Sequence, residues 1–232
     1  MYLHKDPPEH YLGYVVEGKI PVVIIPGILG KWGFMKNLGD KISLAGHPVY
    51  IVTRLGYNLD RIPKSARQVK LIVTHITPEK GHILPRIHPS AHAVKEILET
   101  HNLEEAVLVA YSKGGLIGKY LLAHLNHDHR VKGMVAIATP FSGSALAKLI
   151  PHRSFQELEE DSRIVRELEK DEAVNGQIIS IYPEFDNHVW EGSYLKGAKE
   201  NIQVPISGHH RVIFSRNVQR KVLLSIEKIQ SE

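Results

Sequence analysis

The chain has 232 residues, 43% of them apolar and 23% charged, a formal net charge of +4 and no cysteine. That length suits one α/β domain with a large core, and the missing thiols exclude a disulfide framework, thiolate metal ligands and a cysteine nucleophile. No apolar run approaches the roughly 20 residues that cross a bilayer, and the polar residues 1–19 lack the pattern of a signal peptide, so a soluble, cytoplasmic protein without a transmembrane segment is expected.

The positive charge is uneven. Residues 61–95 carry seven Lys or Arg against one acid, Glu79, while residues 157–172 are acidic in balance. Both read as solvated surfaces. No zinc-finger or RNA-binding signature is present, so no nucleic-acid partner is expected.

Residues 1–19 read as an N-terminal extension. The continuous apolar run 20–25 (IPVVII) then reads as a strand buried on both faces, as do 49–52, 106–110, 134–138 and 178–182, with 202–206 a weaker sixth. Helical spacing appears at 32–45, 114–127, 155–169 and 217–230. Gly46 stands where a helix C′ residue is expected. Strands alternating with helices argue for a mostly parallel sheet of about six strands with helices on both faces.

Between 57 and 102 the pattern is less regular. Residues 62–72 and 87–97 match at six of eleven positions. They read as two helix starts, each with a proline near the first turn. Residues 64–90 are a candidate insertion beside the site. No linker or low-complexity tract interrupts the chain, and one domain over residues 1–232 is expected.

The centre of the pattern is V-L-V-A-Y-S-K-G-G-L-I-G-K-Y, residues 107–120. An apolar strand stops at Ser112, two glycines follow, and a helical segment begins. A serine on such a turn is lifted clear of a sheet, and small neighbours let strand and helix pass closely. A serine hydroxyl attacks at neutral pH only with a base to take its proton and donors for the oxyanion it creates. Acids and histidines follow the strands at 178–182 and 202–206: Glu184 and Asp186 after the first, His209 and His210 after the second.

Residues 110–114, A-Y-S-K-G, resemble the nucleophile elbow G-x-S-x-G of the α/β-hydrolase family, with Ala110 for the first glycine and Tyr111 where His is commonest. I-P-G-I-L-G, residues 25–30, resembles the family's H-G-x-x-G oxyanion loop, with Pro26 for His. Asp186 with Val189 resembles its D-x-x-V acid loop, and Gly208-His209 its Gly-His base loop. A-T-P-F-S-G-S, residues 138–144, resembles the (G/A)-T-P-H-x-G-S segment of lipase-like members, with Phe141 for His. The closest likeness is to small lipases and esterases, of the GPI inositol-deacylase-like and class 2 lipase kinds.

The resemblance implies an α/β-hydrolase fold and a Ser112–Asp186–His209 triad, with Glu184 and His210 as rivals. It implies oxyanion donors in the backbone N–H groups of Ile28 and Lys113, and Leu29, Tyr111 and Phe141 lining the substrate site. The implied reaction is hydrolysis of a small-molecule or lipid ester. A thioesterase, acyltransferase or amidase would use the same residues, and a non-catalytic binding protein would keep only the fold. Under 40 residues separate Thr139 from Ile178, so a minimal lid or none is expected. No G-x-G-x-x-G or Walker loop is present, and no cofactor is expected. His124, His127, Asp128 and His129 could suggest zinc, but a polar helix end is the better reading, and no metal is expected.

Overall fold

In the computed structural model, residues 10–30, 32–52, 55, 57–73 and 105–232 are described. Six strands form one sheet: β1 (Val22–Ile25), β2 (Val49–Ile51), β3 (Ala106–Tyr111), β4 (Val131–Ile137), β5 (Ile178–Phe185) and β6 (Glu200–Ser207). Their order is β2-β1-β3-β4-β5-β6, and every pairing is parallel. This is the open sheet of an α/β-hydrolase fold.

The reason lies in the strand sequences. β1 and β3 are buried along their whole length, so both faces need cover. Alternate side chains point to opposite faces. Val23, Ile25, Leu108 and Ala110 pack with Ile62, Ala66 and Val69 of α3 (Ile62–Val73) and with Leu116, Ile117 and Leu121 of α4 (Lys113–His124). Val22, Ile24, Val107 and Val109 pack on the other face with Leu38 and Ile42 of α2 (Lys36–Leu44) and with Val218, Val222 and Ile226 of α8 (Arg216–Gln230). β6 closes the sheet at an edge, and half-exposed residues there explain its weaker apolar run.

The first element among the described residues is α1 (His10–Gly13). Its Tyr11 is buried and meets Trp32 edge-on at 6.3 Å. The helix expected over 32–45 opens as a 3₁₀ turn, Trp32–Met35, and only then becomes α2. Gly46 follows with φ +93°, as a helix-ending glycine should. Of the two matching segments, the first makes up all of α3 but its last residue; the second lies outside the described residues, as does most of 64–90.

The single helix expected over 155–169 is two: α5 (Arg153–Gln156) and α6 (Arg163–Lys170). The Leu158 carbonyl, which a continuous helix would use locally, accepts instead from the Ser144 N–H at 2.7 Å. The second helix restarts at Ser162, whose hydroxyl accepts from the Val165 N–H at 3.2 Å. The last short helix before α8 is α7 (Arg211–Phe214). Among the described residues, no helix is long and apolar enough to cross a membrane.

Two glycines let α4 approach the sheet. A Cβ on Gly114 would stand 2.5 Å from the Ile25 carbonyl oxygen, and one on Gly115 would stand 2.0 Å from Thr139 Oγ1. Neither neighbour is the free end of a flexible chain. Gly114→Ala is therefore expected to destabilise the protein by about 1–3 kcal/mol, read as a lower Tm. An unchanged Tm would contradict this packing.

Candidate active site

Ser112 follows β3 directly and precedes α4. Its backbone holds φ +53° and ψ −123°, a region sparsely used by residues with a Cβ. Its N–H donates to the Ile137 carbonyl at the end of β4, at 2.8 Å, which pins the turn to the neighbouring strand. The serine is 7% exposed.

Asp186 lies just past β5 and His209 just past β6, after Gly208 at φ +112°. The parallel sheet puts both at the end where Ser112 stands. His209 Nε2 is 3.0 Å from Ser112 Oγ, and His209 Nδ1 is 2.7 Å from Asp186 Oδ2. The other carboxylate oxygen, Oδ1, accepts from the N–H groups of His188 at 2.8 Å and Val189 at 3.0 Å. The Asn187 side chain accepts from the His209 N–H at 2.9 Å, so one short loop orients both partners.

These contacts set protonation. Burial alone would raise the Asp186 pKa, but the His209 ring and the two backbone donors outweigh it and hold the carboxyl below its ordinary value. An ionised Asp186 accepts from Nδ1–H, so a neutral His209 presents the Nε2 lone pair to Ser112 Oγ–H. His188 and His210 are each lowered from the ordinary value, first by burial and then by repulsion from the His209 ring in its protonated form. Their rings lie beside that of His209, with centroids 4.8 and 5.4 Å away.

Of the rivals, Glu184 is exposed on β5 and has no part in this line of contacts. His210 is turned elsewhere: its Nδ1 meets Tyr111 Oη at 2.8 Å. The Tyr111 hydroxyl donates to the His209 carbonyl at 3.1 Å, so it accepts from His210.

The loop after β1 crosses close to the elbow. A Cβ on Gly27 would stand 3.0 Å from Ser112 Cβ, so only glycine fits comfortably there. The Leu29 N–H donates to the Tyr57 carbonyl at 2.8 Å. Among the described residues, neither Ile28 nor Lys113 spends its backbone N–H on a backbone carbonyl.

Ser112 and His209 open on a cavity of about 450 Å³. Its walls are mostly apolar, with Ile28, Leu29, Phe34, Leu146, Ile150, Phe155 and Leu158 among them, and Tyr111, His188 and His210 near the serine. Leu29 and Tyr111 both line this cavity. Phe141 does not. It is 4% exposed, packed in the core on the α4 side, with Lys119 Nζ 5.9 Å from its ring centre. The apolar ring fills the core where the resembling motif has a polar histidine. Residues 144–158 supply one wall of the cavity.

The histidine run after α4 is dispersed. His124 Nε2 lies 2.9 Å from Asp171, and Asp128 pairs with Lys70 and Arg130. Among the described residues, no three His, Asp or Glu side chains converge as a metal site would require.

Sequence reasoning missed three residues here. His188 lines the cavity. Asn58 is fully buried at φ +53° and donates to the Pro26 carbonyl at 2.8 Å. The Lys113 side chain is fully buried, and its Nζ donates to the Asn58 and Asp60 carbonyls at 3.2 and 2.7 Å. Burial lowers its pKa to about 8, while the charges of Glu157 and Asp60 oppose the shift. Asn in a tight turn was a usable signal for positive φ. The lysine had none, since lysines are rarely buried.

The fold and the arrangement at its strand ends define the class of protein. Residues 20–168 match the model of the alpha/beta hydrolase fold family, and the chain belongs to that family. No curated protein sequence matches it significantly. Among solved structures it is similar to the mature lipase BlEst2 of Bacillus licheniformis, with 14% identity over 96% of each chain and a TM-score of 0.64. It is also similar to the metagenomic carboxyl esterase MGS0156, with 15% identity over 93% of this chain and 76% of that one, TM-score 0.62. The ydeN gene product of B. subtilis shows 14% identity over 90% and 100%, TM-score 0.58. At these identities the likeness is one of fold.

Asp186 carries a pH prediction. Its folded pKa lies below the unfolded value of about 3.9, so its stabilisation is complete above that pH and fades as pH falls through the folded pKa. Asp186→Asn is expected to lower Tm at pH 7, and the gap to wild type should close below about pH 4. A gap that stays constant down to acid pH would contradict it.

Proposed function

We propose that the protein is a cofactor-free serine hydrolase of carboxylic esters, of the small lipase or esterase kind. The observation that carries this is a buried, hydrogen-bonded line, Asp186–His209–Ser112, whose serine end faces an apolar cavity.

In this reading Ser112 Oγ attacks the ester carbonyl carbon as His209 Nε2 takes the hydroxyl proton. The carbonyl oxygen becomes an alkoxide held by the N–H groups of Ile28 and Lys113. Such a donor is typically worth 10²–10³-fold in rate. Ionised Asp186 stabilises the imidazolium and keeps its orientation. The tetrahedral intermediate collapses, the C–O bond breaks, and His209 gives its proton to the departing alcohol. His209 then takes a proton from water as that water attacks the acyl carbon; the acyl–Oγ bond breaks, His209 returns the proton to Ser112 Oγ, and the acid leaves. We read residues 1–232 as one domain acting in the cytoplasm on a small-molecule or lipid ester.

The cavity walls favour an apolar acyl group. Each methylene moved from water into them is worth about 0.8 kcal/mol, close to a 4-fold gain in kcat/KM. Across p-nitrophenyl esters of graded acyl length, kcat/KM is expected to climb by about that step and to fall once the cavity is full. Ser112→Ala should lower kcat by on the order of 10⁴-fold or more with the fold retained. Equal turnover by wild type and Ser112→Ala would sink the proposal, and a flat chain-length profile would refute the role given to the cavity.

A further inference from the structure

The turn at residues 57–60 lies between three segments of the site, and each of its four successive carbonyls accepts a hydrogen bond. Tyr57 O accepts from the Leu29 N–H at 2.8 Å. Asn58 O and Asp60 O accept from Lys113 Nζ at 3.2 and 2.7 Å. Leu59 O accepts from the hydroxyl of Ser154, next to Phe155 of the cavity wall. The Asn58 side chain then reaches back, its Nδ2 donating to Pro26 O at 2.8 Å. One turn thus ties the loop after β1 to the residue that follows Ser112.

Neither side chain is an ordinary core choice. Lys113 and Asn58 are both fully buried, and Asn58 Oδ1 accepts from the Ser65 hydroxyl of α3 at 3.4 Å. A buried ammonium or amide costs several kcal/mol unless its donors are used. Packing alone would be served by an apolar chain of the same length. Asn58 also holds φ +53°, which a residue with a Cβ takes reluctantly. What both groups gain is a fixed distance between two backbone segments. The loop they fix contains Gly27 and Gly30, with Leu29 at φ +56°, and the Gly30 N–H donates to the Gly27 carbonyl at 3.2 Å.

We infer that Lys113 Nζ and Asn58 Nδ2 are positioning groups which, through the 57–60 turn, hold the Gly27–Ile28 backbone at a set spacing from the elbow. The inference rests on the hydrolase reading above. It deepens that reading by assigning the register of the two oxyanion donors to two side chains that never touch the substrate. Donors act only when they lie about 2.7–3.1 Å from the oxyanion. A displacement of about 1 Å can cost 100-fold in rate.

The test uses Lys113→Met and Asn58→Gly beside wild type and Ser112→Ala. Methionine is one heavy atom shorter but keeps an unbranched chain and the backbone N–H of residue 113, and it removes the side-chain donors. Glycine at 58 keeps the positive φ and removes the amide. Active sites are titrated with a fluorophosphonate, so that kcat is counted per competent serine and a merely destabilised fraction drops out. Each variant is expected to lose about 10–100-fold in kcat on p-nitrophenyl butyrate, with KM within about 3-fold. A trifluoromethyl ketone with the same acyl chain, which forms an oxyanion on serine, should bind more weakly by the same factor as kcat/KM falls.

Should Lys113→Met fail to fold, Asn58→Gly decides by the same readouts. A kcat per titrated site within about 2-fold of wild type in the folded variants, or a loss confined to KM, overturns the inference and leaves the hydrolase reading standing. Wild type without Ser112-dependent turnover overturns both, and that result is visible before either variant is made.

Discussion

The geometry of Ser112 constrains everything around it. A residue with a Cβ holds φ +53° and ψ −123° at a cost of about 1–3 kcal/mol, and it stays there only if its surroundings fix it. Here they do. The Ser112 N–H is bound to β4, the preceding strand is fully buried, and the following helix is pressed against β1 and the Thr139 segment through Gly114 and Gly115. The loop after β1 passes so close that residue 27 must be nearly bare. The strained turn and the tight packing are one arrangement: the packing holds the turn, and the turn lifts Oγ to where His209 can reach it.

Burial gives that contact its chemical meaning. Ser112, Asp186 and His209 are each under a tenth exposed, so their interactions are little screened by water. Asp186 remains ionised there because three donors converge on it, from His209 and from the His188 and Val189 backbone. The two further histidines beside the pair are pushed toward the neutral state, so they add no opposing charge at neutral pH. A parallel sheet makes the assembly possible, since the ends of β3, β5 and β6 all point the same way.

Much of this was legible in the sequence where short-range chemistry decides. Uninterrupted apolar runs marked strands covered on both faces, and β6 was faint because it is a half-exposed edge. The order serine, acid, histidine after β3, β5 and β6 matches the order the resemblance implies, and at one end of the parallel sheet Ser112, Asp186 and His209 stand within hydrogen-bonding distance. Features set by long-range contacts were not legible. The 155–169 segment is interrupted where the Leu158 carbonyl accepts from the N–H of Ser144, a residue outside the segment. Phe141 has a motif position that suggests the substrate site, yet its ring is turned into the core. The buried Lys113 depends on carbonyls some 50 residues earlier in the chain, at Asn58 and Asp60, which no local pattern reveals.

The most direct measurement is the site of covalent labelling by an alkyl fluorophosphonate, read by peptide mass spectrometry on the intact, folded protein. The account predicts one adduct per chain, on the peptide bearing Ser112, and none in Ser112→Ala. An unlabelled wild-type protein, or an adduct on another residue that persists in Ser112→Ala, would contradict it.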